Sequence, residues 1–334
     1  MAEFLATAFG VSKDASFLRP DVLDWKFFAP RPDWSGPRSY VVKQDAQIIA
    51  HSCIWPVSFR LPDRSVSSMH LIDWAASKSA AGAGIFLNQE LMKQTDTAVG
   101  IGGSDISRKI APRIGFSHVG SLSVYARVVR PWRQFRAAPD RFRWKGPLRL
   151  ARNGLWALLP ACPPPKHLSA APVAAFDHSL DWLFGDRTAS PYLWAARTPE
   201  LLNYILRCPA VISRAFLVYD REKPCGYFVL ARAGGQTRIA DLWIQALDEE
   251  SWAGAYSLAV RRAAEDAQTC EIAAYSSTAL VEAALLRNGF RLRAQKPVFL
   301  NDRKRHLDCG LPLSFSGLES DAFFLYNSGD PFLT

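Results

Sequence analysis

The residues best placed to do chemistry run from Asp73 to Leu87: Asp-Trp-Ala-Ala-Ser-Lys-Ser-Ala-Ala-Gly-Ala-Gly-Ile-Phe-Leu. The spacing predicts a strand that stops, a loop of small residues, and a helix that begins at Gly84. Such a junction binds phosphate. The first amides of a helix have no internal partner, and the helix dipole places partial positive charge there. Serine, alanine and glycine leave those amides open to a close approach by a diphosphate. Lys78 adds a mobile cation beside them. A Gly-x-Gly loop alone is weak evidence, since tight turns and ordinary helix starts share it.

The elements that must hold this loop follow from the pattern on either side. Residues 39–44 and 47–55 flank Asp45-Ala46 as a hairpin, and 69–76 read as a further strand. A helix over 85–94 should turn Phe86, Leu87 and Met92 inward. A strand over 97–101, a helix to about 113 and a strand over 118–129 come next. The same order returns later: a hairpin from 215–219 and 225–232, a strand over 237–246, a helix over 252–267, a strand over 270–275, and a helix over 278–288 that ends at Gly289.

Two local anchors support that repetition. Arg19-Pro-Asp-Val-Leu-Asp-Trp25-Lys-Phe-Phe-Ala-Pro30 matches Arg197-Thr-Pro-Glu-Leu-Leu-Asn-Tyr204-Ile-Leu-Arg-Cys-Pro209 in residue type. Arg113-Ile-Gly-Phe116 matches Arg287-Asn-Gly-Phe290. Trp25 lies 90 residues before Gly115, and Tyr204 lies 85 before Gly289. The expectation is a duplicated α/β (α+β) chain with a first unit at 1–130, a basic and Pro-rich linker at 131–175, and a second unit at 176–334. The prolines between 160 and 172 argue against sheet in the linker.

Ser79-Ala80-Ala81-Gly82-Ala83-Gly84, with Leu87 three residues on, resembles the acetyl-CoA diphosphate loop of the GNAT acyltransferase superfamily, Gln/Arg-x-x-Gly-x-Gly/Ala. The leading Gln or Arg is Ser79 here. Downstream, Ser104 and Ser107 stand where that family tends to have Asn-x-x-Ala, eleven residues before Gly115. The resemblance implies two tandem domains, each a mostly antiparallel twisted sheet flanked by helices. It also implies an acyl-CoA substrate, acetyl-CoA or longer, and no metal. Loop residues 78–84 with Ser104 and Ser107 would hold the coenzyme, and the strand amides of Trp74, Ala75 and Ala76 would polarise the thioester. The acyl group would pass to an amine or hydroxyl. The Leu-x-Trp-Lys opening resembles bacterial tandem acyltransferase-like proteins linked with surface polysaccharide, which points to a sugar or glycolipid acceptor. Ala111 occupies the place of the family's acidic tyrosine, four residues before Gly115.

Acyl transfer needs a base for the incoming nucleophile. His70 and Asp73 lie on the strand leading into the loop, and simple alternation sets them on opposite faces. Each has a purely structural alternative: Asp73 as a hydrogen-bonding brace for the loop, His70 as a satisfied core residue. Tyr125, on the last strand of the first unit, is a candidate proton donor, with core packing as its alternative. The second unit has Asp248, Glu249, Glu250 and Trp252 at its corresponding helix start. Acids there would repel a diphosphate, so that unit reads as a scaffold or acceptor-binding partner.

Bulk composition narrows the remaining classes. No apolar run reaches the ~20 residues needed to cross a bilayer. The start, MAEFLATAFG, lacks a basic region and carries Glu3, so it does not read as a signal peptide. Six scattered cysteines fit a reducing cytoplasm. The histidines show no metal-ligand spacing. Net charge is +9, yet residues 127–152 hold nine basic residues against one acid, +8 in one stretch. With Trp132, Phe135, Phe142 and Trp144 interleaved, this stretch suits an anionic membrane surface or glycan better than nucleic acid, unless the aromatics pack between the units. Two other functions share the expected architecture: a Fem-like transferase using aminoacyl-tRNA, and a non-catalytic binding protein.

Overall fold

A computed structural model describes every residue except 62, 81, 139–143, 186–189 and 327–330. The first repeat opens with α1 (Ala2–Phe9) and α2 (Pro20–Phe27). The strands β1 (Ser39–Gln44), β2 (Gln47–Arg60) and β3 (Ser65–Ala76) follow, then α3 (Ala83–Leu91), β4 (Thr97–Ile101), α4 (Asp105–Ile110) and β5 (Ser117–Val128). The connecting stretch folds into α5 (Pro131–Ala137), α6 (Lys145–Ala157), β6 (Leu168–Val173), α7 (Asp181–Gly185) and β7 (Leu193–Trp194). The second repeat comprises α8 (Pro199–Leu206), β8 (Ile212–Asp220), β9 (Lys223–Ala233), β10 (Gln236–Ile244), α9 (Glu249–Glu265), β11 (Glu271–Ser276), α10 (Ala279–Arg287) and β12 (Arg291–Asn301), with β13 (Leu313–Ser314) beyond it.

Eleven strands form one mostly antiparallel sheet, in the order β1-β2-β3-β4-β12-β5-β11-β10-β9-β8-β6. It is a mixed α/β architecture with helices on the sheet's faces. The last strands of the two repeats are exchanged: β12 lies beside β4, and β5 lies beside β11. Among the described residues only two neighbouring pairs in this sheet are parallel, β3 with β4 and β10 with β11. Each is joined by a helix crossover, as parallel neighbours require. β6 carries Pro172 within a strand, contrary to the expectation that the proline-rich stretch builds no sheet; it is an edge strand paired only with β8.

Two apolar layers flank the first repeat. Ala50, Ile54, Met69, Ala98, Ile114 and Phe116 pack with Leu87 and Leu91 of α3. The opposite face, with Trp55, Ile72, Ala75 and Val99, belongs to a larger core shared with α2, α8 and residues 315–324. There the two aromatic anchors meet. Trp25 and Tyr204 stack with centroids 4.9 Å apart. Trp25 Nε1 donates to the Tyr204 carbonyl at 3.2 Å, and the Tyr204 hydroxyl donates to the Trp25 carbonyl at 2.6 Å. Phe86 departs from expectation: it is exposed on α3, while Leu87, Asn88 and Leu91 are buried. The helix starts at Ala83, one residue before the Gly84 start expected from the loop and two before the periodic run at 85, and Met92 falls at its C-cap.

Candidate functional site

β3 and β4 pair only from Ser68↔Thr97 to His70↔Val99. β3 continues to Ala76 and β4 to Ile101, so beyond that point the two parallel strands part. The gap opens toward their C-terminal ends, the usual ligand-binding edge of parallel strands. No β3–β4 ladder pair forms beyond this point, and the Ile101 amide turns to the His70 side chain instead. The 77–82 loop and the start of α3 lie at the end of β3; Gly102, Gly103 and Ser104 lie at the end of β4.

The loop has the expected small residues around exposed backbone. Ala80 N donates to Ser77 O at 3.0 Å, so one amide of the stretch is used locally. No side chain caps α3, and among the described residues none accepts from the amides of Ala83, Gly84 or Ile85. Ala81 lies outside the described residues. Gly82 has φ +114°, and a Cβ there would meet nothing within 4 Å. Gly84 serves packing: a Cβ would come 2.8 Å from Trp74 Nε1 and 3.2 Å from the Ala76 methyl. Trp74 Nε1 in turn donates to the Gly84 carbonyl at 3.0 Å, pinning the helix start to the strand. Lys78 and Ser79 are exposed at the mouth. Ser104 is the N-cap of α4, accepting from Ser107 N at 3.2 Å, and Ser107 Oγ donates to Ser104 O at 2.9 Å.

A bulge shapes the β3 side of the gap. Pairing with β2 slips between His51↔Ala75 and Cys53↔Ile72, leaving Asp73 and Trp74 opposite Ser52. Asp73 adopts φ +51°, which costs a non-glycine residue on the order of 1 kcal/mol. Two buried partners hold it there. Lys26 Nζ pairs with the Asp73 carboxylate at 2.5 Å, with both side chains almost fully buried. His51 Nδ1 donates to the Asp73 carbonyl at 3.0 Å, while Ser39 Oγ stands 3.0 Å from His51 Nε2. The extra residue resets the alternation, so the expectation of opposite faces for His70 and Asp73 is corrected: both point toward α2 and the C-terminal segment. His70 Nδ1 donates to Glu319 O at 3.2 Å, and its Nε2 accepts from Ile101 N at 3.2 Å. Burial lowers its pKa to about 4. His70 is thus neutral with both nitrogens engaged, and it ties β3 to β4 where they part.

Tyr125 lies elsewhere. Its strand is separated from β4 by β12. Burial, followed by the charge of Glu282 on α10, raises its pKa. Sequence reading missed another acid. Asp321, in a 3-10 turn on the C-terminal segment, is near enough to Asp73, Lys26 and Lys296 to feel their charges. Burial, then the Asp73 charge, pushes its carboxyl above the usual carboxylate range, against the pull of the two lysines. The Lys296 stem runs along Gly102 at the end of β4.

The second parallel pair parts in the same way beyond Ile239↔Ala274, but its notch is filled. Residues 315–324 cross it: the Tyr275 hydroxyl donates to Ala322 O at 3.1 Å, and Arg238 donates to the same oxygen at 2.8 Å. A Cβ on Gly317 would lie 3.1 Å from Ala240 O. Asp248 caps α9 by accepting from Ser251 N at 2.8 Å, and Trp252 is buried. Two grooves of ≈390 and ≈410 Å³ lie elsewhere, one lined by Phe27, Trp34 and Ser39, the other by Val119, Asp302 and Phe315.

No family model matches the chain, and no curated protein matches its sequence. Similar folds occur among solved structures. A GCN5-related N-acetyltransferase from Anabaena variabilis superposes with TM-score 0.59 at 14% identity, covering 90% of this chain and 68% of that one. A conserved protein of Enterococcus faecalis, a probable N-acyltransferase, gives 0.54 at 12%, covering 90% and 69%. N-myristoyltransferase of Saccharomyces cerevisiae with bound myristoyl-CoA gives 0.55 at 13%, covering 84% and 73%. At such identities the likeness concerns the fold.

Proposed function

We propose that this chain, which has the fold of the GNAT superfamily, transfers an acyl group from acyl-CoA to an amine or hydroxyl acceptor, with a sugar or glycolipid as the favoured acceptor class. The observation that carries the reading is the gap between β3 and β4 beyond His70 and Val99, beside an uncapped helix start in a loop of small residues. The diphosphate sits on the first-turn amides of α3, with Lys78 as its side-chain cation. The pantetheine arm enters between the parted strands, and amides following the Asp73 bulge donate to the thioester oxygen as negative charge develops there.

The nucleophile approaches from the face holding Asp73, His70 and Asp321. Asp73 is committed to Lys26 and His70 to two backbone groups. Asp321 is therefore the group assigned to take the proton as the nucleophile attacks the thioester carbon. The tetrahedral intermediate collapses with loss of the CoA thiolate, which takes its proton from water, since Ala111 stands at the tyrosine position. Calorimetric titration with acetyl-CoA, longer acyl-CoAs and free CoA tests the donor site; absence of binding to all three overturns the proposal, and tight tRNA binding in its place would favour the aminoacyl-tRNA reading. Asp321→Asn is expected to keep acyl-CoA affinity and lose turnover. A rate that rises with pH through a raised pKa in the native protein, and not in this variant, would support the assigned role.

A further inference from the structure

Helix α6 is packed inside out. Its buried residues are Gly146 and Asn153, and Asn153 Nδ2 donates to Gln134 Oε1 at 2.9 Å. Its outward face is apolar: Trp144 at the N-cap is 74% exposed, Leu148 60%, Leu155 69% and Leu158, at the C-cap, 79%, with Ala151 exposed between them. At ~100° per residue these five positions fall in a stripe roughly 80° wide and about 20 Å long. Trp132 of α5, stacked on Phe135, adds another exposed indole. The sequence-level alternative, with the aromatics packed between the units, does not describe Trp132 or Trp144.

One flank of the stripe is cationic. Lys145 is exposed and Arg152 half-buried on this side, whereas Arg149, farther round the helix, is half-buried and its Nε donates to Thr334 O at 2.5 Å. Arg152 and Arg293 lie over the Trp156 ring at 4.5 and 5.4 Å. After burial, the charges of Arg293 and Arg149 are what lower the Arg152 pKa. Neither α5 nor α6 contains an acid. An apolar stripe beside a row of cations and indoles has the composition of a helix lying in a lipid interface. No helix among the described residues is long and apolar enough to cross a membrane. A second copy of the chain on this face would bring two cationic flanks together, whereas an anionic bilayer neutralises them.

We infer that α6 lies flat on an anionic lipid surface, with Trp144, Leu148, Leu155 and Leu158 inserted and Lys145 and Arg152 at the headgroups. The inference does not depend on acyl transfer. Co-sedimentation tests it, using phosphatidylcholine vesicles with and without about a quarter phosphatidylglycerol. The native chain should pellet with the anionic vesicles, and rising salt should weaken this. Leu148→Ser with Leu155→Ser should weaken it about tenfold or more. These positions are exposed, so an unchanged thermal melt certifies the fold, and Trp144→Phe should remove a lipid-induced blue shift. Equal partitioning of the double variant, or no pelleting at all, overturns the inference. A dimer that dissolves in the double variant, without vesicle binding, does so in favour of a second copy.

Discussion

Ser79→Asp asks directly whether the loop holds a diphosphate. Ser79 is exposed, and its one described side-chain contact is with Ser77 Oγ at 2.8 Å. The substitution should change stability by no more than about 0.5 kcal/mol. We take about 6 Å, the scale of a neighbouring side chain, as the separation between its carboxylate and a diphosphate on the first turn of α3. At a near-surface effective dielectric of about 40–80, that distance gives about 1 kcal/mol per charge pair, or about 2 kcal/mol against two phosphate charges. Acyl-CoA binding should therefore weaken about thirtyfold in dilute buffer. Near physiological ionic strength a Debye length of about 8 Å halves the repulsion, leaving about fivefold. Ser79→Asn, neutral and nearly isosteric with Asp, should bind within about twofold of the native chain. Calorimetric titration of all three proteins at two salt concentrations reads the effect. Equal affinity for the Asp variant and the native chain, or equal losses for Asn and Asp, would refute the reasoning. Gly82→Asp is a poorer probe, because its φ of +114° adds backbone strain to the charge.

Other expectations follow from the same geometry. Gly84→Ala places a methyl 2.8 Å from Trp74 Nε1; it should cost about 1–3 kcal/mol in chemical denaturation and weaken acyl-CoA binding as α3 shifts. Lys26→Met leaves the Asp73 carboxylate buried without its partner and should cost about 3–5 kcal/mol. Adding Asp73→Asn to it should recover part of that loss in a double-mutant cycle. His70 is held neutral, with its pKa lowered from 6.5 to about 4. The unfolded chain binds the proton more readily, so the stability linked to His70 is fully present above pH 6.5 and lost as pH falls toward 4. The loss reaches about 3 kcal/mol. Denaturant midpoints across that window should fall steeply for the native chain and less steeply for His70→Gln.

Much of the architecture was legible locally. β4 occupies the expected residues 97–101, the Asp45 turn joins β1 to β2, and α10 ends at Gly289 with φ +73°. Strand alternation and glycine stops act over a few residues, so a sequence window contains their cause. What escaped depends on distant residues. The Asp73 bulge is fixed by Lys26 and His51, 47 and 22 positions away, and nothing in Met69–Ala76 announces it. The small-residue loop was visible, whereas the parting of β3 from β4 was not, because pairing partners are not written in either strand. Asp321 sits beyond the repeat, in a stretch with no motif. The inward reading of Phe86 failed because the start of α3 is set by Trp74 gripping Gly84, and periodicity counted from 85–94 does not contain that contact.

The two sequence anchors stand out because they are contacts between the repeats. Trp25 and Tyr204 bond to each other. At the second anchor pair, Arg303, just past β12, reaches Gly115 and donates to Ile114 O at 3.2 Å; Arg127, on β5, reaches Gly289 and donates to Asn288 O. Each exchanged strand thus brings an arginine to the Gly-Phe turn of the opposite repeat, where a larger residue than glycine would collide with the guanidinium. The same exchange gives the second repeat a role despite its filled notch and acid-capped helix. It supplies β12, which flanks β4 and carries Lys296, and it precedes the segment that brings Glu319 to His70 and sets Asp321 within the field of the Asp73–Lys26 pair. The proposed donor loop lies in the first repeat and the proposed base beyond the second. A fragment ending at residue 175 would keep the loop, lose Asp321, and leave β4 without its β12 neighbour.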